Sequence, residues 1–318
     1  MTTLTGVQLP EVLEPGSPEW QRKMSASKVG AVMGTSVHES WFSLWHRMAG
    51  NAPGQVSNDE MMLGHYMEPM ISKWFADQHP EFTLVAGGTW QHSEREWQIA
   101  SPDRGVLTVE AVDVPESDPD AVDASIMVLT SFLECKFSQY EDEWTDDHIP
   151  AGYYDQVQWQ IDTTGVEGVW VAVYIGIAMS FREYWIPRNQ QRIERLRDRA
   201  SEFMETLPTG SNPTPPDVDA HTETYVVVRA MNPDIDGDVT LDEDEAALFR
   251  DAKAATKLAK EHEQLAVNTI ATRMGNARRA LAPDGTVVCT RQKGRNGAPP
   301  FIKAAPQKRT APTVKAAA

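Results

Sequence analysis

Alternation of apolar and polar positions is clearest in the middle of the chain. Ile126 to Phe137 is rich in β-branched and aromatic residues and predicts a long, mostly buried strand. Val169 to Ile177 and Ser180 to Ile186 predict a strand pair around Gly176. Shorter strands are predicted at Phe82 to Ala86, Gly88 to Gln91 and Trp97 to Ala100. A helical period marks Ser25 to Met33, Trp41 to Ala49, Ala151 to Thr163 and Gln190 to Leu207, the last with Ile193, Leu196, Phe203 and Met204 on one face. Asn58-Asp59 reads as a cap before Met61 to Gln78, where Met62, Tyr66, Pro69, Met70 and Phe75 predict a buried side and Pro69 a kink. Interleaved strands and helices predict an α/β core, a central mixed sheet flanked by helices at 60–79 and 151–163.

The pattern changes after residue 207. Pro208 to Pro216 (PTGSNPTPP) reads as a linker or strap, Thr224 to Val228 as a strand, and Asp242 to about Leu281 as one long Ala-rich helix. A last strand is predicted at Thr286 to Thr290, followed by a basic, Pro/Ala-rich tail. The chain thus divides into a core at 1–207, a linker at 208–222 and a C-terminal extension at 223–318. Residues 110–124, acidic and rich in Pro and Asp, predict a hairpin loop within the core.

Composition narrows the classes. With 318 residues, 41% of them hydrophobic, the chain can bury one large core or two modest ones. Its longest uncharged apolar run, Val169 to Phe181, is too short to span a bilayer, and its first residues carry no secretion signal, which predicts a cytoplasmic protein without membrane contact. Two cysteines, Cys135 and Cys289, are too few for a disulfide framework, a four-cysteine zinc site or an iron–sulfur cluster, so any metal should be a hard ion held by oxygen. The net charge of −17 argues against a polyanionic partner until its distribution is considered. From Ala271 onward ten Lys and Arg face a single acid, a net +9 that leaves −26 on the remainder. That segment is either a solvated tail or a nucleic-acid contact.

Candidate chemistry lies in Ser101-Pro102-Asp103 and, thirty-one residues later, Glu134-Cys135-Lys136. Strand alternation puts Glu134 and Lys136 on one face and Cys135 on the other. Two neighbouring carboxylates repel unless a divalent cation sits between them, and an adjacent lysine completes a hydrolytic arrangement: a metal-bound water with an ammonium beside it. The same triplet pattern in Asp251-Ala252-Lys253 falls in the long helix, where positions i and i+2 point apart. The plain alternative for Glu134 and Lys136 is a surface ion pair on an edge strand.

Five motifs in order bring a resemblance: Met24-Ser25-Ala26-Ser27-Lys28-Val29, Leu63-Gly64-His65-Tyr66-Met67-Glu68-Pro69, Ala100-Ser101-Pro102-Asp103, Leu133-Glu134-Cys135-Lys136 and Tyr153-Tyr154-Asp155-Gln156-Val157-Gln158-Trp159. Over roughly residues 20 to 205 the chain resembles the PD-(D/E)XK nucleases of the lambda exonuclease, or YqaJ-type viral recombinase, group. The resemblance implies a restriction-endonuclease-like core. Glu68 would face the metal site, and Asp103 and Glu134 would be ligands of Mg²⁺ or Mn²⁺, helped by the backbone carbonyl of Cys135. Lys136 would orient or activate the attacking water, and Gln156 would touch the lysine or the nucleic-acid backbone. Ser27 would contact a terminal 5′ phosphate and Ser101 would add a hydrogen bond nearby. The arginine of the group falls at Trp20, with Arg22 the nearest substitute. Arg104 replaces the usual glycine after Pro-Asp, as a phosphate contact or a turn cap. His65 shares the face of Glu68, although the group's pattern does not require it.

The implied activity is 5′-to-3′ degradation of one strand of linear double-stranded DNA. It would leave 3′ single strands for a phage-type strand-annealing protein, and the enzyme would act as a homo-oligomeric ring. Two rivals stand beside it: an endonuclease or single-strand nuclease of the same superfamily, and a non-catalytic DNA-binding protein of the same fold. Trp41, Trp45, Trp74, Trp159, Trp170 and Trp185 fall in periodic segments and are expected in the core. Trp144, in the acidic loop Glu141 to Asp147, reads either as a wedge near a duplex end or as a loop anchor.

Overall fold

In the computed structural model, which describes residues 4–54, 58–111, 125–141, 144–305 and 313–315, short strands and helices alternate at first: β1 (Gly6–Gln8), α1 (Pro18–Gln21), β2 (Met24–Ser25), α2 (Val29–Met33), α3 (Trp41–Met48) and α4 (Asp59–Gln78). Strands β3 (Thr83–Ala86), β4 (Trp90–His92), β5 (Gln98–Ala100), β6 (Arg104–Ala111) and β7 (Ser125–Ser138) follow, then β8 (His148–Pro150) and α5 (Ala151–Thr164). The hairpin of β9 (Gly168–Ile175) and β10 (Ser180–Pro187) leads to α6 (Gln190–Thr206) and α7 (Thr222–Met231). Beyond them come α8 (Glu243–Met274), β11 (Arg279–Leu281), β12 (Val287–Gln292), β13 (Phe301–Ala304) and β14 (Thr313–Lys315). No helix among the described residues is long and apolar enough to cross a membrane. The predicted hairpin loop at 110–124 lies almost wholly outside the described residues.

The chain forms two compact units, Met1–Pro233 with Arg309–Ala318, and Asp234–Lys308. In the first, a mixed five-stranded sheet has the order β10-β9-β7-β6-β3, with β7 parallel to β9 and the other pairs antiparallel. A parallel neighbour requires a crossover, which β8 and α5 supply. Helix α4 covers one face, where Ile71 and Phe75 pack on Val106, Leu133, Cys135 and Ala172. A second small sheet, β1-β4-β5-β2, adjoins α5, and β14 pairs antiparallel with β8.

Helix α5 is buried on nearly every side although half its residues are polar. Such a helix is stable only if each buried polar group finds a partner. The carboxylate of Asp155 accepts from both arms of Arg192, at 2.6 and 2.7 Å, and from Thr35 Oγ1 at 2.7 Å. The carboxylate of Asp162 accepts from Arg197, Gln98 and Arg95. Gln158 donates to Pro187 O and accepts from Asn189 N. These bonds fix α5 against α6 and the sheet edge.

Several expectations are corrected. Met62, Tyr66 and Met70 are exposed, Tyr66 by 77%, because the face of α4 that meets the sheet carries Met67, Ile71, Trp74 and Phe75. Thr224 to Val228 lies in a helix, not a strand. Its Val227 is buried with Phe42 and Ala52, Thr224 bonds Ser40 at 2.9 Å, and Glu223 pairs with Arg47. Those contacts hold α7 in the first unit and move the boundary from the 208–222 segment to Pro233. Helix α8 stops at Gly275 rather than near Leu281, and the segment after it holds β11 and β13 in addition to the one predicted strand.

One close approach concerns the site directly. A Cβ on Gly87 would come within 1.8 Å of the Pro102 carbonyl oxygen, so no side chain fits beside the residue preceding Asp103.

Candidate active site

The antiparallel register of β6 and β7 pairs Arg104 with Leu133, so Asp103, in the bend just before β6, lies beside Glu134. It opens that strand rather than closing the preceding one, which ends at Ala100. The backbone N–H of Cys135 donates to Asp103 Oδ2 at 2.6 Å. Along β7, Leu133 and Cys135 pack toward α4, while Glu134 and Lys136 point toward α5, as alternation requires.

Glu134 is 3% exposed, and both of its carboxylate oxygens accept hydrogen bonds. Its Oε1 accepts from Lys136 Nζ and from Gln156 Nε2, and its Oε2 from Gln160 Nε2, each at 2.6 Å. Gln156 therefore reaches the carboxylate that Lys136 also bonds, whereas the resemblance implies a contact with the lysine or with the nucleic-acid backbone. Gln160 was missed altogether, although its spacing of four from Gln156 places both amides on one face of α5. Its own Oε1 is buried without a partner among the described residues. Lys136 Nζ also lies 4.8 Å from the centre of the Tyr153 ring.

Burial, and after it the neighbouring Glu134, pushes the Asp103 carboxyl well above the usual carboxylate range; Glu68 adds to the rise and Lys136 opposes it. For Lys136, burial acts downward, but Glu134, Tyr153 and Asp103 together outweigh it and hold the ammonium above its ordinary value. Burial, then Asp103, pushes the Cys135 thiol up, which keeps it protonated on the α4 side.

A hard divalent cation fits this donor set. Asp103 Oδ1 has no hydrogen-bond donor among the described residues, Oε2 of Glu134 keeps a free lone pair, and three carboxylates, Glu68, Asp103 and Glu134, face two cations, Arg104 and Lys136. No group of three or more His, Cys, Asp and Glu side chains among the described residues could hold a metal ion. Two carboxylates would therefore need backbone oxygen and water to complete the shell.

The remaining candidates are spread more widely. Glu68 accepts from Arg104 Nη1 at 2.7 Å, and the same nitrogen donates to Asp103 O at 2.6 Å, so Arg104 bridges α4 and the bend. Ser101 is exposed and bonds Thr89 Oγ1 at 3.0 Å; Ser27 is exposed and bonds Ser25 Oγ at 2.9 Å. Arg22 lines an open groove of about 950 Å³ with Lys23, Glu96 and Trp97, and neither Ser27 nor Ser101 lines it. His65 is exposed. Trp144 is 1% exposed and stacks on Tyr153 at 5.5 Å, which makes it the loop anchor and excludes the wedge. Trp45 and Trp159 are buried, and Trp41, Trp74, Trp170 and Trp185 are partly buried against other aromatic rings.

Residues 19–167 match the family of the YqaJ-like viral recombinase domain. A curated relative, the uncharacterized protein YqaJ of Bacillus subtilis (strain 168), is 23% identical over 238 residues, covering 72% of this chain and 68% of its own. Among solved structures, an alkaline exonuclease (LHK-Exo) of Laribacter hongkongensis aligns at 18% identity and a TM-score of 0.43, over 59% of this chain and 91% of that one. The same enzyme in complex with dAMP aligns at 19% identity and a TM-score of 0.45, over 60% and 91%. The match at 19–167 spans all five motifs, in agreement with the resemblance read from the sequence.

Proposed function

We propose that this chain is a divalent-metal-dependent exodeoxyribonuclease that degrades one strand of linear double-stranded DNA from its 5′ end and leaves a 3′ single strand for annealing. The observation that carries the proposal is the convergence of Asp103, Glu134 and Lys136, from two adjoining strands, with two amides from α5 behind them. The YqaJ-like match and the exonuclease named among the structural neighbours favour nuclease chemistry over other uses of paired carboxylates.

Asp103 and Glu134 would hold the metal, Mg²⁺ or Mn²⁺, with the Cys135 backbone contributing. When bound, such an ion lowers the pKa of a coordinated water and neutralises charge on the phosphate. The chain's own residues then have distinct tasks. Lys136, an ammonium with three donors and no lone pair, orients a water or a phosphate oxygen. Gln156 and Gln160 hold the Glu134 carboxylate in place, so that one lone pair of Oε2 stays directed outward. Glu68 and Arg104 form a bridged pair at the mouth, where Arg104 can exchange Glu68 for a phosphate. Arg22, Ser27 and Ser101 offer donors for the 5′ phosphate. Strand polarity, the ring and the annealing partner follow from the resemblance.

The test is a digestion of linear duplex labelled at either end, with and without Mg²⁺. Release of the 5′ label first, only with metal, and sparing of covalently closed circles is the expected result. Efficient cutting of closed circles would instead assign an endonuclease, and binding without hydrolysis a non-catalytic protein.

A further inference from the structure

The second unit, Asp234–Lys308, ends in the antiparallel sheet β11-β12-β13, and the two faces of that sheet differ. Arg279 and Lys303 pair with Thr290 from either side, and Phe301 pairs with Gln292 one step further along. Residues directly opposite across strands share a face, as does every second residue along a strand. One face holds Ala280, Val287, Cys289, Arg291 and Ile302, buried or partly buried, and Ala304, which is exposed, with Cys289 Sγ 3.5 Å from Met274 Sδ at the end of α8. The opposite face holds Arg279, Val288, Thr290, Gln292, Phe301 and Lys303, of which all but Thr290 are exposed, Phe301 by 51%.

Charge on this unit is gathered rather than balanced. Residues 273–305 contain seven Lys and Arg and one acid, Asp284, which accepts from Thr286. Among the described residues none of the seven forms an ion pair, whereas Arg47, Arg104, Arg192 and Arg197 of the first unit are all paired. Cations left unpaired in a chain of net charge −17 repel one another, and a polyanion relieves that repulsion.

We propose that the exposed face of this sheet binds single-stranded DNA. Phe301 offers a ring on which a base stacks. Arg279 and Lys303 flank Thr290, about 10 Å apart across three strands, and the Phe301 row lies about 7 Å further along, close to one nucleotide step. The cations therefore meet phosphates flanking the stacked base, and Thr290 and Gln292 lie between them as hydrogen-bonding groups. A duplex covers its base faces and would use the cations but not the ring, which is why the single strand is the occupant. The choice of DNA rests on the hydrolase reading above; the binding face does not.

The experiment uses the full chain in EDTA, where no hydrolysis contributes, and follows the anisotropy of a fluorescent oligo(dT) at several salt concentrations. Phe301→Ala should weaken binding about tenfold and Phe301→Trp should retain it. Arg279→Gln with Lys303→Gln should reduce the slope of log affinity against log salt by about 1.4. Unchanged affinity and slope in these variants would overturn the proposal, as would an equal loss for Phe301→Ala on blunt duplex of the same length. Thermal melts of the same samples report folding; should Phe301→Ala not fold, the exposed, unpaired Arg279 and Lys303 carry the test alone. Because the readout needs no metal, failure here leaves the hydrolytic reading standing, and absence of hydrolysis leaves this binding result standing.

Discussion

Buried acids meet helix α5 in two groups, and the chain treats them oppositely. Asp155 and Asp162 each lie in the fork of an arginine from α6, with Thr35, Gln98 and Arg95 filling further lone pairs. Across the helix, Glu134 takes one lysine and two amides, while the Asp103 carboxylate beside it accepts, among the described residues, only from the Cys135 backbone N–H, and Glu68 adds a third negative charge nearby. A carboxylate with every lone pair answered by a guanidinium serves to fix position. Carboxylates crowded together with surplus charge are poised to receive something positive, and they pay for that poise in stability.

The contrast can be broken or sharpened by mutation. The largest effect should come from Asp103→Ala or Glu134→Ala, each reducing Mg²⁺-dependent digestion of linear duplex by at least about a thousandfold while the melting curve stays cooperative. Wild-type rates in either variant would remove the site assignment. Next, Arg192→Ala should cost about 3–5 kcal/mol in urea unfolding, because it leaves the buried Asp155 carboxylate with no cation and, among the described residues, only Thr35 to donate to it. A loss below about 1 kcal/mol would show that Asp155 is not held as its geometry indicates. Asp103→Asn should act in the reverse direction, raising stability in EDTA by about 1 kcal/mol. Mg²⁺ should raise the melting temperature of the wild type and leave that of the same variant unchanged.

The smallest effect is in the pH profile of stability without metal. Burial would raise Asp162, but hydrogen bonds from Arg197 and Gln98 prevail and hold it below its ordinary value. Its stabilisation is therefore present above the unfolded pKa of about 3.9 and lost as pH falls through the lower folded value. Asp103 is raised by burial and by Glu134, so its penalty is felt at high pH and is relieved as pH falls from the raised folded value toward about 4. Urea melts across pH should show the gap between wild type and Asp103→Asn closing on acidification. A gap that widens would reverse the sign assigned to Asp103.

Much of the site was legible because strand alternation is a rigid rule: Glu134 and Lys136 share a face whatever surrounds them. The amides were harder. Helix α5 is buried almost all round, so its polar and apolar positions show no stripe, and only the neighbouring sheet distinguishes Gln160 from Gln158. Helix α7 was misread for a different reason. Its Tyr225-Val226-Val227-Val228 run favours a strand locally, but a side-chain cap from His221 and the burial of Val227 beside Phe42 override that preference. The exposed Met62, Tyr66 and Met70 show the limit of periodicity, which marks an apolar side without showing that anything covers it. Strands β11 and β13 were hidden by Arg, Ala and Pro in a segment whose charge dominated its reading.

The tight fit at Gly87 gives a residue without functional groups a hold over the proposed reaction. A saturation screen scored on digestion alone would rank that position beside the acids it supports, and a search for its chemical role would find none. Even alanine there would have to move the Pro102 carbonyl, and the neighbouring carboxylate would shift with it.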